Sequence, residues 1–427
     1  GDAGAETLTL TSTTDGVFNF SNTAKTAVNV VTITNGGSNV TFQAADVAGL
    51  TTLTGSAAGV TTVNFTDTTS LATKDVTNID VITIAGVDQT LTVDGDEAGA
   101  GGQYLTTTGS GTSNLVYAVG AGAASLDLTN TTVSGFDSIS VAAALVANTL
   151  TIDALSIVTG GATAVTAGAT SNLAVTETYN ASTWAVTGFD LVTVTAAQTL
   201  TVSDTFFNTT VAVYDGSATG ALVVNMVGTT LDLGADSFGT GSDIQTTITG
   251  TAGNDTITFA NAKAAGSAMA VTGNGGTDTF RFEGASGNAT GGDLLVIADA
   301  VSITDFNSAN DVITGQAAGL AGVNLTTGNV ASGAWNLDTT GPGFALITGA
   351  TVADFSSLAA VSAAVGIVTA TATDVAYFAV TNINESQVGI YRVLFAATGV
   401  IDAADDLTLV SVINNTGDFN ASNLGLY

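Results

Sequence analysis

One segment recurs along the first half of the chain and limits what it can fold into: Val76-Thr-Asn-Ile-Asp80-Val-Ile-Thr-Ile84, Val133-Ser-Gly-Phe-Asp137-Ser-Ile-Ser-Val141 and Val186-Thr-Gly-Phe-Asp190-Leu-Val-Thr-Val194. The aspartates stand 57 and 53 positions apart, and each copy is followed by a second run of the type Thr-Leu-Thr-Val/Ile. A degenerate earlier copy, Val28-Asn29-Val-Val-Thr-Ile33, places Asn29 51 positions before Asp80. Recurrence at a nearly constant long period implies stacked units that cannot bury their apolar faces alone, which is the signature of a solenoid. Within each unit the apolar residue before Asp and the alternating Ile/Val after it would line the interior. The Asp would close a turn by accepting backbone N–H groups, an Asx turn that needs no metal; a cation-ligand role is the second reading.

The rest of this half agrees. Short runs such as Leu8-Thr-Leu-Thr, Val30-Val-Thr-Ile-Thr and Leu91-Thr-Val are separated by Gly, Asn, Asp and Ser, which is strand and turn punctuation. The sole proline, Pro342, lies well beyond this region, so proline does not interrupt strand pairing there. The expected fold is all-β, with a β-solenoid or β-helix body.

Charge and missing residue types exclude whole classes of function. Lys25, Lys74, Lys263, Arg281 and Arg392 are the only basic residues against 36 acids, a net charge of −31. Nucleic acid and anionic lipid would be repelled. There is no Cys and no His, which removes thiol chemistry, disulfides, His/Cys metal sites and His-dependent triads. Of the acids, 31 are Asp, which is both a turn residue and a compact oxygen ligand. No uninterrupted span of about 18 apolar residues exists, so no transmembrane helix is expected. The opening Gly-Asp-Ala-Gly-Ala-Glu has neither a basic n-region nor an apolar h-region, so no cleavable signal peptide is legible.

Two Gly-Asp signatures point to calcium. Gly250-Thr-Ala-Gly253-Asn254-Asp255-Thr-Ile257 and Gly273-Asn-Gly275-Gly276-Thr277-Asp278-Thr-Phe280 follow the pattern G-G-x-G-x-D-x-U-x. In it, glycines permit a tight turn, the carboxylate faces a cation and the apolar residue starts an inward-pointing strand. Ile303-Thr-Asp305-Phe306-Asn-Ser-Ala-Asn-Asp311-Val-Ile313 follows, and Asp293 in Gly291-Gly-Asp293-Leu is a looser candidate.

These signatures resemble the nonapeptide of the repeats-in-toxin (RTX) family, whose parallel β-roll binds calcium through the motif Asp and the backbone carbonyls of glycine-rich turns. The resemblance implies Ca2+ as cofactor and Asp255 and Asp278 as carboxylate ligands. Gly250, Gly253, Asn254, Gly273, Gly275 and Gly276 would shape or line the turns, and Asp305 and Asp311 correspond to the acids that end such rolls. The copies start 23 residues apart, not a multiple of nine, so an extended regular β-roll is not expected. The arrangement as a whole is similar to bacterial surface-layer (S-layer) proteins of the RTX, type I secretion class, of the kind found on Gram-negative cells including Caulobacter. Their Gly-[Ile/Phe/Val]-Glu-Thr-[Ile/Leu/Val] solenoid repeats resemble the recurring Gly-Phe/Ile-Asp-x-Ile-x-Val units here. That resemblance implies an extracellular protein at the bacterial cell surface, secreted without a cleaved leader.

Beyond Asn310 the pattern changes. Thr351-Val-Ala-Asp354-Phe-Ser-Ser-Leu358-Ala-Ala-Val361-Ser-Ala-Ala-Val365-Gly366 predicts the one convincing helix, with Asp354 as N-cap and Gly366 at its end. The runs Ala376–Val380, Val388–Phe395 and Leu407–Val412 predict strands, with Thr381-Asn-Ile-Asn-Glu-Ser as a hairpin turn. The expected organisation is therefore a β-solenoid repeat domain over 1–245, a short RTX-like calcium-binding region over 246–315, and a C-terminal β-rich secretion and assembly domain over 316–427.

The function this predicts is a calcium-dependent, self-assembling structural protein with no enzymatic activity, a homo-oligomeric surface-layer subunit whose main partner is itself. Cell-surface polysaccharide is a second candidate partner. The alternatives are an extracellular filament subunit, an adhesin, or a calcium-dependent carbohydrate-active β-helix enzyme. A lyase would want basic residues that the chain scarcely has, and no acidic pair stands out for a glycosidase. Asp94-Gly-Asp96-Glu97 and Asp402-Ala-Ala-Asp405-Asp406 read as solvated turns or calcium loops. Trp184, Trp335, Tyr377, Phe378 and Tyr391 read as core packing or a sugar-binding surface.

Overall fold

A computed structural model describes residues 6–11, 16–20, 28–94, 104–118, 125–129, 131–141, 148–152, 164–166, 171–207, 213–216, 219–239, 244–259, 262–263, 267–282, 300–315, 326–337, 341–371, 374–396, 399–402, 404–414 and 418–426. The protein is all-β and a β-solenoid of stacked parallel coils. Two compact units, Gly1–Gln198 and Thr199–Tyr427, divide it.

In the first unit the alternation of Thr with Val, Ile and Leu sends one face of each strand inward. Successive coils place equivalent strands side by side in parallel. One sheet runs Glu6–Leu10, Val28–Ile33, Thr52–Thr54, Asp75–Thr77; the next runs Val17–Asn19, Asn39–Phe42, Thr62–Phe65, Val81–Ile84, Tyr104–Thr107, Thr132–Ser134. A third runs from Thr69–Ser70 through Thr90–Val93, Asn114–Tyr117, Ser138–Val141 and Ala164–Thr166 to Ala185–Thr187. A fourth contains Ser125–Asp127, Asn148–Ile152, Ser171–Val175 and Leu191–Val194. The register stacks like on like: Val40, Val63, Ile82, Leu105 and Val133 form one buried column through consecutive coils. Half-buried Phe20 and the buried Phe42 and Phe65 stack in a second column, with ring centroids 5.6 and 6.3 Å apart. Each such side chain contributes about 1.5–3 kcal/mol by leaving water.

The coil, set by strand pairs such as Val40↔Val63 and Leu91↔Leu115, is 23–24 residues long at those rungs, so the 53–57-residue recurrence in the sequence is not the coil. Its three copies mark the points where sheets end. Asp75–Thr77, Thr132–Ser134 and Ala185–Thr187 are the last strands of the first, second and third sheets, and Asp80, Asp137 and Asp190 follow them directly. Each Asp then opens a strand of a different sheet: Val81–Ile84, Ser138–Val141 and Leu191–Val194 in turn.

The chemistry of this corner is common to the copies. Asn78, Gly135 and Gly188 hold φ of 55°, 80° and 81°, the left-handed region open to Gly and Asn. Ile79, Phe136 and Phe189 are buried beside them. The Asp80 carboxylate accepts the N–H of Thr61 at 2.7 Å while its own N–H donates to the Thr61 carbonyl at 3.0 Å. Asp137 makes the same reciprocal pair with Ser113, at 2.7 and 2.8 Å. The carboxylates thus accept backbone N–H groups as expected, but from the preceding coil, 19 and 24 positions away, and not within a local Asx turn. Asn29 is not a copy of this corner, because it lies inside the strand Val28–Ile33.

Within the second unit, parallel strands stack through Thr199–Val202, Gly220–Asn225, Ile244–Thr249, Met269–Thr272 and Val301–Ile303, and through Thr230–Asp232, Thr256–Phe259, Thr279–Phe282 and Val312–Gly315. The boundary drawn at 245/246 from the motifs therefore falls within the strand Ile244–Thr249. The chain next leaves the stack and returns to it: Asp406–Asn414 pairs in parallel with Val301–Ile303, and Leu424–Leu426 with Val312–Gly315. Before Asp406–Asn414 comes the expected hairpin, Val375–Thr381 against Gln387–Leu394, with Phe344–Thr348 and Thr327–Ala331 added in parallel.

The helix is shorter than its sequence pattern, Leu358–Val365. Ser357 is the N-cap, its hydroxyl accepting the Ala360 N–H at 3.3 Å, and Gly366 closes it at φ 75°. Asp354 instead makes its own Asx turn to the Ser356 N–H at 2.9 Å, which competes with helix and delays its start by one turn. Trp335, Phe378 and Tyr391 stack in turn, Tyr377 packs on Phe344, and Trp184 is buried against Tyr179, so these rings are core. The Trp335 indole N–H donates to the Pro342 carbonyl and the Tyr391 hydroxyl to the Phe355 carbonyl, both at 2.9 Å.

Replacing Asp137 by Ala orphans the buried Ser113 N–H and should cost about 1–3 kcal/mol, whereas Asp137→Asn, which keeps an acceptor oxygen, should cost less. Urea denaturation of the two variants against the parent checks the order.

Candidate functional site

The 23-residue interval between the two Gly-Asp signatures is one coil. Thr256↔Thr279 and Ile257↔Phe280 are parallel partners, so the signatures sit one above the other at the same corner. The next coil brings Val312 and Ile313 over Thr279 and Phe280, which adds Asp311 to the column. The spacing that argues against a regular nine-residue roll is what aligns these turns in a wider coil.

Asp255, Asp278 and Asp311 are 1%, 2% and 3% exposed. They are linked head to tail: the Asp255 N–H donates to Asp278 Oδ1 and the Asp278 N–H to Asp311 Oδ1, both at 2.9 Å. Asp255 also holds its own turn, accepting the Thr251 N–H at 2.7 Å and the Thr251 hydroxyl at 2.9 Å. Asp311 likewise accepts the Asn307 N–H at 2.7 Å. Asp305 reaches back one coil, its two oxygens accepting the N–H groups of Gly273 and Asn274 at 2.8 and 2.7 Å.

Polar side chains of the turns bridge the coils as well. Asn254 Oδ1 accepts the Thr277 N–H at 2.8 Å, and Asn274 Nδ2 donates to the Gly250 carbonyl at 2.6 Å. Gly253 donates its N–H to the Thr251 hydroxyl at 3.0 Å, and Gly275 lies over Ala252. Gly273 leaves room for a carboxylate: a Cβ there would sit 2.2 Å from Asp278 Oδ2. Gly276 combines φ +117° with a Cβ position 2.4 Å from the Gly253 carbonyl oxygen, so only glycine is accommodated. Ten of the eleven candidate residues thus belong to one corner of three consecutive coils; Asp293 lies outside the described residues.

The donor set, carboxylates and glycine-turn carbonyls, has the all-oxygen chemistry of a hard cation such as Ca2+. In this geometry the carboxylates serve first as acceptors for backbone N–H groups, and among the described residues no three acidic side chains converge as a ready-made metal cage. Ionised carboxylates keep further lone pairs beyond these bonds, so a cation fits as an addition to the network. Asp94 is likewise engaged, accepting the Thr73 N–H, and Asp405 accepts the Ala396 and Asp402 N–H groups. Asp96 and Glu97 lie outside the described residues. The sequence gives no direct signal for Thr251, Asn274 and Asn307 as partners, because their roles exist only once coils are stacked.

Burial pushes the Asp278 carboxyl up to about 6, aided by the charges of Asp311, Asp255 and Asp305 and opposed by the Asp255 N–H. Burial also raises Asp311. A carboxyl raised above its unfolded value stabilises the fold fully below the unfolded pKa near 3.9, and that contribution is lost as pH rises through about 6. In chelator, Asp278→Asn should therefore be more stable than the parent at pH 8, with the difference narrowing as pH falls through about 6 and closing only near pH 4. Thermal melts across that range check the sign.

Comparison with protein-family models, with curated proteins and with solved structures returns no match.

Proposed function

We propose that the chain is a calcium-dependent, self-assembling extracellular structural protein, a subunit of a bacterial surface layer. The observation that carries this reading is the pair of open sheet edges. Glu6–Leu10 and Val17–Asn19 each have one strand neighbour among the described residues, and Val17 is 79% exposed. An outer strand can pair with a further strand, which is the physical basis of β-augmentation. In the second unit, Leu424–Leu426 and Thr327–Ala331 are also outer strands.

Charge supplies the control. At −31 the chain repels both its own coils and other copies of itself, and self-repulsion of this kind opposes compaction and association. A divalent cation taken up by the Asp255, Asp278, Asp305 and Asp311 turns would stabilise the folded coils by mass action, and cations between copies would lower the barrier to contact. The reading assigns no catalytic residue. The aromatics that could have formed a sugar-stacking surface are buried, which favours assembly over carbohydrate recognition at those positions. No helix among the described residues is long and apolar enough to cross a membrane.

Light scattering and electron microscopy during calcium titration test the proposal, with magnesium as control and chelator as reversal. Ordered sheets or filaments should appear with calcium and dissolve with chelator, and Asp255→Ala should raise the calcium required. A folded monomer that stays monodisperse at millimolar calcium would sink the assembly reading.

A further inference from the structure

The acid column ends in an asparagine that replaces a backbone group. In each coil of the column, the carbonyl of the Asp is satisfied by the N–H of the residue that opens the next strand: Asp255 by Thr279 and Asp278 by Val312, both at 2.8 Å. Thr279, Val312 and Asn423 occupy the same register position, one residue before Phe280, Ile313 and Leu424. At the last rung the peptide N–H of Asn423 is turned away and donates to Asn420 at 3.0 Å. Its side-chain Nδ2 takes over, donating to the Asp311 carbonyl at 2.9 Å and to the Ser308 carbonyl at 2.8 Å. Asn423 Oδ1 accepts the Asn420 N–H at 3.0 Å, so every polar atom of this side chain, 3% exposed, is used.

The segment around it is built to hold that amide in place. Asn420 caps the short 3-10 turn Ala421–Asn423, accepting the Ser422 N–H at 2.9 Å. The Phe419 ring packs on Phe306, centroids 5.6 Å apart, and Phe306 is fully buried beside the turn that carries Asp305 and Asp311. Ser411 in the preceding strand donates to the Val301 carbonyl at 2.9 Å. These contacts span 110 to 115 positions of sequence.

We propose that Asp418–Leu426 is a latch and Asn423 its bolt. Docked, the amide holds the Asn307–Asp311 turn closed; released, it frees the Asp311 and Ser308 carbonyls and lets that turn open. The effect reaches one coil further, because the Asp278 N–H is held by the Asp311 carboxylate. The latch thus gates the order of the acid column from its far end. An amide is required: a carboxylate at 423 has no N–H to donate and would face two carbonyl oxygens at close range.

Hydrogen exchange by mass spectrometry on the full chain in chelator, at neutral pH, tests this independently of any calcium binding. Asn423→Asp, nearly isosteric, should speed exchange at least tenfold over 301–315, less over 273–282, and leave 28–94 at parental rates. Should that variant fail to fold, Phe419→Ala, which loosens the latch but keeps the amide donors, should give the same gradient. Parental rates over 301–315, or equal acceleration in both compact units, would overturn the proposal.

Discussion

The structure depends on one interaction repeated with variations: an Asp carboxylate that accepts the backbone N–H of a residue one coil away. Parallel strands satisfy their own peptide groups, but the corners between them leave N–H groups pointing at the next coil. Burying such groups unpaired costs about 1–3 kcal/mol each. Asp80 and Asp137 meet this need at sheet ends, Asp67 and Asp88 at other corners through the N–H groups of Ala44 and Thr112, and Asp204 through those of Val227 and Gly228. The excess of Asp over Glu, 31 to five, fits this geometry, since the shorter side chain reaches a neighbouring backbone without the extra rotamer.

The same device creates the site. Where one carboxylate per coil recurs at the same corner, the charges stack, and at Asp255, Asp278 and Asp311 they stack in a buried column. Backbone N–H groups then oppose desolvation and like-charge repulsion, and at Asp278 they do so incompletely, which leaves its carboxyl pushed upward. A cation is the natural complement of that imbalance. The structural role of these residues and the cation binding proposed for them would then follow from one arrangement.

The fold class was legible because outward Thr and inward Val, Ile and Leu alternate with a period of two, which the stacking preserves from Val40 to Val133. The coil length was not, because the strongest recurring pattern, centred on Asp80, Asp137 and Asp190, follows the handover from one sheet to another and falls out of step with the coil. The Gly-Asp signatures fall at one corner, but that 23 residues make one coil is visible only in the pairing of Thr256 with Thr279. Asn423 carried no signal, since its meaning lies in carbonyls more than 110 residues upstream. The start of the helix was misplaced for a local reason: Asp354 and Ser357 are both good caps, and Asp354 is spent on Ser356.

Isothermal titration of calcium into the parent and into Asp278→Asn, each shown by circular dichroism to be folded, tests the central claim most directly. The account predicts saturable binding by the parent that is lost or much weakened in the variant. Saturable binding of equal strength in both, or none in a folded parent at millimolar calcium, would contradict it.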